Sequence, residues 1–517
     1  MKKNSFIKII AALCALVMIF TFVGCRKSAD TQENVQSEDA ALIVNGTAVS
    51  VAEAECAFHD IKAQLMRLSS QYQQSAGYSF YNKNTKSTDP CVYDDSMSWG
   101  EYIEKQAIER VKQVYLFKDE AGNDLSEEQK SKIEQTFTQL EQKAQEDGAT
   151  LEQTIQKQYG DAVSESILRQ WFEDAYRAES AQTNMQKEYA DSLTDSDIQK
   201  YYDSHKQNYV SASAMAYTIA VDTTDIADKL ADEKLSNKDK DGLIATACEQ
   251  AKVSAEALFK QIKMNPEKFT ELVNAYEKKA HGKSAVEYTD DTLTLSGTVN
   301  ERMSILGETA RATVAAADTK NAVYLDYSAD YQSNAYQFDI TRILEPAQTI
   351  QTVAVRHILV QPNSTQDDAA WDKAKAEIDS VYEEYKKDPS EENFSKLAKK
   401  YTSDPGSKDT GGLYESIMPG QMVQTFNDWC FDTTRKAGDT GIVKTEYGYH
   451  LMYFVRNGGE FWKTQVPKDM AKDFLDEKIQ SRIDEATVEK GKAWEQVQDV
   501  AEYQKAAASK ESTSTTQ

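Results

Sequence analysis

His357 stands inside the apolar run VAVRHILVQP, residues 353–362, directly after Arg356. The chain has only five histidines. A run of this kind reads as a buried strand, and a sheet holds such a side chain rigidly. By itself the residue fits a satisfied core histidine as well as a chemical one, so its partners decide. Other chemistries leave no signature. No HExxH, CxxC or histidine cluster suggests a metal, and no glycine-rich phosphate loop suggests a nucleotide. The expectation is a protein working without cofactor, metal or nucleotide. After Cys25 only Cys56, Cys91, Cys248 and Cys430 remain. A Cys56–Cys91 bridge is open, but four scattered cysteines are no disulfide framework.

The rest of the chain must position that histidine. At 517 residues two or three domains are expected. A formal charge of −25 argues against nucleic acid and against electrostatic docking on an anionic membrane. Membrane attachment would have to be hydrophobic. Lys2, Lys3 and Lys8 flank the apolar run IIAALCALVMIFTFVG, which ends at Cys25. The run is short for a spanning helix and has the shape of a signal peptide. FVGC resembles the lipobox of bacterial lipoproteins, with Cys25 the lipidated residue and 26–40 a polar tether. An uncleaved anchor helix is the alternative. Either way the remainder lies outside the cytoplasm.

ALIVNGTAVS reads as a strand with an Asn-Gly turn, and helices follow to about Asp203. In EYIEKQAIERVKQVYLF, Ile103, Ala107, Val111 and Leu116 fall near one face. Residues 41–193 are thus expected to be a helical domain. The last third differs. After the strand at 353–360, WDKAKAEIDSVYEEY and NFSKLAKKY carry helical apolar stripes, and SDPGSKDTGG is turn chemistry. QMVQTFNDWCF is a short helix, and GIVKTEYGYHLMYFV is a hairpin broken at Tyr447-Gly448. This order gives a small α+β domain. A charged helix over 465–503 and a disordered tail over 504–517 close the chain.

On these motifs residues 350–458 resemble a parvulin-type peptidyl-prolyl isomerase. RHILV resembles the family's first strand, with His357 on its first histidine. TSDPGS puts Asp404 where the family carries Asp or Cys. PGQMVQTF puts Met422 and Phe426 in the proline pocket. KTEYGYH places Thr445 and His450 on the second histidine motif. Gly411-Gly412 is followed by Leu413-Tyr414-Glu415 where the family has Asp-Leu-Gly, so Tyr414 replaces a pocket leucine. The resemblance implies isomerisation of X-Pro bonds. That reaction breaks no bond; it crosses a resonance barrier of about 18–20 kcal/mol. A site that fits the twisted amide better than either planar form suffices. An apolar pocket would grip the ring, and Asp404 with the two histidines would form one hydrogen-bonded network.

Residues 194–346 resemble a degenerate second copy. FTELVNAY and FSKLAKKY share F-x-x-L-x-x-x-Y, and NAYQFDITRIL resembles the strand YGYHLMYFV. Thr218 then falls at the place of His357, Lys279 at that of Asp404, and Gln337 at that of His450. Such a copy is free to exchange its polar network for apolar or neutral groups. The fold class expected is therefore multidomain α and α+β: a helical chaperone-like domain, then parvulin-like domains with a small sheet wrapped by helices. The ensemble resembles the SurA and PrsA foldases. It implies a lipid-anchored, extracytoplasmic isomerase and chaperone whose partners are unfolded exported proteins containing X-Pro bonds. A holdase with a vestigial isomerase site is one alternative. A solute-binding or adhesive lipoprotein using the small domain as scaffold is another.

Some parvulins select phosphorylated Ser or Thr before proline through a basic loop after the first strand. Here that loop is QPNSTQDDAAWD, with no Lys or Arg before Lys373. A phosphate would meet Asp367 and Asp368 rather than a cation. Isomerisation of paired X-Pro peptides with and without phosphate should show no gain on phosphorylation.

Overall fold

The computed structural model describes residues 39–503, apart from 78, 95, 121, 123, 124, 233 and 332. The signal-like run with Cys25, the first part of the tether, and the tail 504–517 lie outside the described residues. Among the described residues no helix is long and apolar enough to cross a membrane. The chain divides into two compact units. One is 1–192 with 470–517, and the other is 193–469.

In the first unit, β1 (Leu42–Val44) and β2 (Thr47–Val49) form a hairpin. Its turn places Asn45 and Gly46 at positive φ, 48° and 82°. Five helices follow: α1 (Val51–Ala76), α2 (Trp99–Phe117), α3 (Glu127–Asp147), α4 (Leu151–Tyr159) and α5 (Glu165–Ser192). The first four start on capping boxes, Ser50/Glu53, Ser98/Glu101, Ser126/Gln129 and Thr150/Gln153. Their apolar stripes meet in a core that includes Phe58, Trp99, Phe137 and Trp171. On α2 the buried row runs Ile103, Ala107, Val111, Val114 and Phe117. Leu116, expected on that row, is only partly buried, because the helical period carries the stripe to Val114 and Phe117. Cys56 and Cys91 are separate buried free thiols.

The single helix expected over 465–503 does not form. A helix spans Phe461–Glu485, and Val488–Lys490 then pairs antiparallel with β1. Asn45 causes the change: its Oδ1 accepts from the Thr487 N–H at 2.9 Å, just where β-branched Thr487 and Val488 favour extension. Trp494, Val497 and Val500 enter the helical core. Buried Glu55 accepts from the backbone of Ala162 and of Gln498, and Lys62 pairs with Asp499 at 2.7 Å. The helical domain therefore uses both ends of the chain, not 41–193 alone.

The second unit begins with α6 (Asp195–Ser204) and contains two four-stranded antiparallel sheets. The first sheet uses β3 (Val210–Ala220), β4 (Thr294–Thr298), β5 (Val323–Asp330) and β6 (Ala335–Thr349). Its order is β4-β3-β6-β5. The helices α7 (Asn237–Met264) and α8 (Phe269–His281) come between β3 and β4, and α9 (Glu308–Ala316) precedes β5. The second sheet uses β7 (Gln351–Val360), β8 (Leu413–Ile417), β9 (Thr440–Thr445) and β10 (Gly448–Glu460). Its order is β8-β7-β10-β9, the same path in space. Here α10 (Asp368–Tyr385) and α11 (Glu391–Tyr401) come between β7 and β8, and α12 (Gln424–Cys430) precedes β9. The expected boundaries at 346 and 458 fall inside β6 and β10; the strands break at Ile350 and after Glu460.

Removal of residues 487–517 strips β1 of one partner strand and takes three buried side chains from the helical core. At roughly 1.5–3 kcal/mol for each large side chain, the loss is several kcal/mol. Urea unfolding followed by tryptophan fluorescence should show a lower midpoint for the first unit; an unchanged midpoint would contradict this packing.

Candidate active site

β7 lies between β8 and β10, so both its faces are covered. Ile358 and Val360 pack under α10 and α11 with Leu451 and Tyr453 of β10. The alternate residues Val353 and Val355 face the other way, toward Phe426, Met452 and Phe454. Strand alternation places His357 on that second face. β10 runs beside β7 with His357 opposite Met452 and Leu359 opposite His450. Residues two apart on a strand share a face, so both imidazoles stand on the same side. Their rings lie 5.3 Å apart and 21° from parallel.

Asp404 comes from the loop after α11. Thr402 Oγ1 accepts from the Leu359 N–H at 3.0 Å, and the Ser403 N–H donates to the Leu359 carbonyl at 2.8 Å. These bonds fasten the loop to β7 two residues from His357. On the other side, the Gly412 carbonyl accepts from the His357 N–H at 2.8 Å. Gly412 has φ 78°, and a Cβ there would lie 2.3 Å from the His357 carbonyl oxygen. Glycine is needed for so close an approach of two backbones.

One chain of hydrogen bonds crosses the site. The Tyr447 N–H donates to Thr445 Oγ1 at 3.1 Å, and Thr445 Oγ1 lies 2.8 Å from His450 Nε2. His450 Nδ1 is 3.1 Å from His357 Nδ1, and His357 Nε2 is 2.9 Å from Asp404 Oδ2. Ser407 and Tyr414 also donate to Asp404 Oδ2, Tyr414 at 3.0 Å. A carboxylate only accepts, which puts the His357 proton on Nε2. His357 Nδ1 then accepts from the His450 Nδ1–H, and His450 Nε2 accepts from the Thr445 hydroxyl. One assignment satisfies every link.

Electrostatics agree with it. Burial pushes the His450 imidazole down to about 3, and the neighbouring His357 adds to the effect. The hydrogen bond from His357 holds Asp404 well below the usual carboxylate range, with Ser407 and Tyr414 contributing. Burial raises the Tyr414 phenol to about 12, and Asp404 acts in the same direction. His357, His450 and Thr445 are buried, whereas the Asp404 side chain keeps 16% of its surface exposed. The network is thus rigid inside and open at the carboxylate.

Phe426 is buried and stands edge-on to both imidazoles, with centroids 5.5 and 5.3 Å away. Met422 lies just before α12 and packs, partly buried, in the same cluster. Tyr414 does more than fill the place of a leucine. Its ring stacks on His357 at 5.3 Å while its hydroxyl reaches Asp404. Sequence reasoning missed two residues. Ser407, fully buried, lies 3.1 Å from His357 Nε2 and bonds Asp404. Its spacing of three from Asp404 inside a turn was the available signal. Met452, fully buried opposite His357, carried none beyond strand alternation.

The other sheet repeats the register with different chemistry. Thr218 lies opposite Asp339, and Ala220 lies opposite Gln337. Thr218 and Gln337 therefore stand in the same relation as His357 and His450. Lys279 does not follow the expected pattern: it is exposed on α8, within the helix rather than in the loop after it. The expected exchange of polar for apolar or neutral groups also fails. Asp339 is fully buried there and accepts from Thr218 Oγ1 at 2.6 Å and from the Gly307 N–H at 2.9 Å. Gln337 Nε2 donates to both its oxygens. Those donors offset the cost of burying a carboxylate.

Because the folded His450 titrates near 3, far below an ordinary 6.5, folding excludes a proton that the unfolded chain binds. Stability from this group is complete above pH 6.5 and is lost as pH falls, at up to about 1.4 kcal/mol per pH unit. The depressed Asp404 adds a further loss below about pH 3.9, its unfolded value. Histidine NMR, assigned with H450Q, should show the His450 ring not titrating between pH 7 and 5. A midpoint near 6.5 would contradict the assignment.

Comparison with known proteins agrees with this geometry. The PPIC-type PPIASE domain family matches residues 338–457. Foldase protein PrsA 1 of Listeria monocytogenes is 33% identical over 104 residues, 20% of this chain and 30% of the relative. Foldase protein PrsA of Geobacillus kaustophilus is 30% identical over 145 residues, 27% of this chain and 46% of the relative. Chaperone SurA of Pseudomonas fluorescens is 34% identical over 122 residues, 22% of this chain and 26% of the relative. The matches thus span less than half the length of these relatives. A crystal structure of PrsA from Bacillus subtilis is matched over 59% of this chain and 86% of that one, at 20% identity and a TM-score of 0.19, and carries no weight here. The sequence matches and the histidine site agree: the chain carries a parvulin-type peptidyl-prolyl isomerase domain of the SurA/PrsA type.

Proposed function

We propose that the chain is an extracytoplasmic peptidyl-prolyl cis–trans isomerase and chaperone for exported proteins. The reading rests on one observation above all. The chain from Thr445 through His450 and His357 to Asp404 satisfies every member and leaves the carboxylate at the open end. Rotation about an X-Pro bond asks for no proton transfer to substrate. It asks for a fixed polar field beside an apolar grip, so that the twisted amide fits better than the planar one. Phe426, Met422 and the Tyr414 ring supply the grip, and the network supplies the field. The signal-like run ending at Cys25 supports export and a lipid anchor. Unfolded chains containing X-Pro bonds are the partners this site would serve.

The sheet of β3 to β6 is, in this reading, a catalytically silent copy of the isomerase domain. Its strand order and cross-strand register support that, and so does the lack of both histidines.

A protease-coupled assay on X-Pro peptides tests the function. His357→Ala and Asp404→Ala should each lower kcat/KM by about tenfold or more, equivalent to about 1.4 kcal/mol of transition-state stabilisation. Both should keep the wild-type far-UV circular dichroism. Folded variants with full activity would refute the assignment. Suppression of aggregation of an unfolded protein should persist in these variants, separating the holding role from the isomerase.

A further inference from the structure

The silent sheet has a polar cluster of its own that the isomerase reading leaves unused. Asp326 on β5 and Asp339 on β6 are direct cross-strand partners. They share one face, the face of Thr218 and Gln337. The four hydrogen bonds described above fill the acceptor positions of Asp339. Asp326 has one partner, the Thr313 hydroxyl of α9, on Oδ1 at 2.7 Å. Its Oδ2 is buried without a partner. Two more oxygens on this face are buried and unpartnered: Ser328 Oγ, two residues along β5, and Thr341 Oγ1, two residues along β6. Ser328 is 7% exposed and Thr341 fully buried. A Cβ on Gly307, at the start of α9, would lie 2.2 Å from Ser328 Oγ and 3.2 Å from Asp339 Oδ2. The hydroxyl and the Asp339 carboxylate therefore converge under that helix.

Like charges directly opposite on neighbouring strands repel, and burial strengthens the effect. Among the described residues no lysine or arginine is paired with either carboxylate. Arg311 on α9 donates instead to the Leu306 carbonyl. Asp339 and burial together raise Asp326 above the ordinary carboxylate range, so nothing in the chain neutralises the pair. Every unpartnered atom of the cluster is an oxygen. An oxygen-only set with charge behind it suits a hard cation, not a thiolate- or imidazole-seeking metal. No third Asp, Glu, His or Cys joins these two among the described residues, which sets the affinity at the weak end.

We propose that this face of the silent sheet binds a hard cation, calcium by preference, through Asp326 Oδ2, Ser328 Oγ and Thr341 Oγ1, with Asp339 supplying charge behind them. The remaining ligands would be water. Calcium tolerates irregular, partly hydrated oxygen sets, whereas magnesium demands a near-ideal octahedron. The expected affinity is that of extracellular calcium modules, about 10⁻⁴–10⁻³ M.

Calorimetric titration of calcium chloride into the chelator-treated full chain, in about 0.15 M sodium chloride, tests this. The expected result is one calcium site in that affinity range, with weaker binding of magnesium. Asp326→Asn should lower calcium affinity at least tenfold and leave the X-Pro isomerase rate unchanged. If that variant does not fold, Thr341→Val replaces it and should weaken calcium binding several-fold. The proposal is overturned if no binding appears up to about 10 mM calcium, or if the folded variant binds as the wild type does. It is equally overturned if Asp326→Asn raises the unfolding temperature while calcium has no effect on the wild type, which would mean that the two carboxyls share a proton instead.

Discussion

Two imidazoles facing each other across adjacent strands, 5.3 Å apart, are the constraint on which the isomerase domain depends. Each ring must have its protonated nitrogen set by a neighbour, or the contact between the two Nδ1 atoms becomes a repulsion of lone pairs or of protons. Thr445 fixes one end and Asp404 the other. The sheet order β8-β7-β10-β9 follows from this need, because only neighbouring central strands bring His357 and His450 together on one face. Gly412 and Thr402 then bind the flanking loops to the backbone of β7. A frame with this little freedom can hold a polar network in an apolar setting without letting water in to compete.

The same backbone path in β3 to β6 carries a different solution. Thr218 and Gln337 occupy the histidine positions, and the polar centre moves one row along the sheet to Asp339, opposite Thr218. In the isomerase domain that row holds Met452, which packs against Phe426. A methionine there leaves an apolar floor beside the histidines. An aspartate there requires donors from β3, from its own strand and from the turn before α9. The two sheets show how little of a site's chemistry the strand order decides.

The helical unit follows another principle. Its hairpin of β1 and β2 is too small to be stable alone, and it gains a third strand from Val488–Lys490, more than four hundred residues later in the sequence. Glu55 and Lys62 of α1 then receive residues 498 and 499. Chain ends tied in this way do not fray, and the unit closes only when both are present.

The sequence by itself determined the local elements and the identity of the site. The alternation around His357, the helical stripes of α10 and α11, and the turn composition of 403–412 depend on neighbours in the chain. His357, Asp404, Thr445 and His450 were accordingly readable from spacing within short motifs. Three things were decided only by tertiary structure. Ser407 and the Tyr414 hydroxyl became partners of Asp404 because a loop folded back onto β7; neither bond has a periodic signal. The end of the helix at Glu485 came from Asn45, a residue that no local pattern links to Thr487. The buried carboxylate pair of the silent sheet came from cross-strand register, which brings Asp326 and Asp339 side by side from different strands. Interactions within a turn or two are written in the order of residues. Those between distant segments depend on geometry that exists only once the chain has folded.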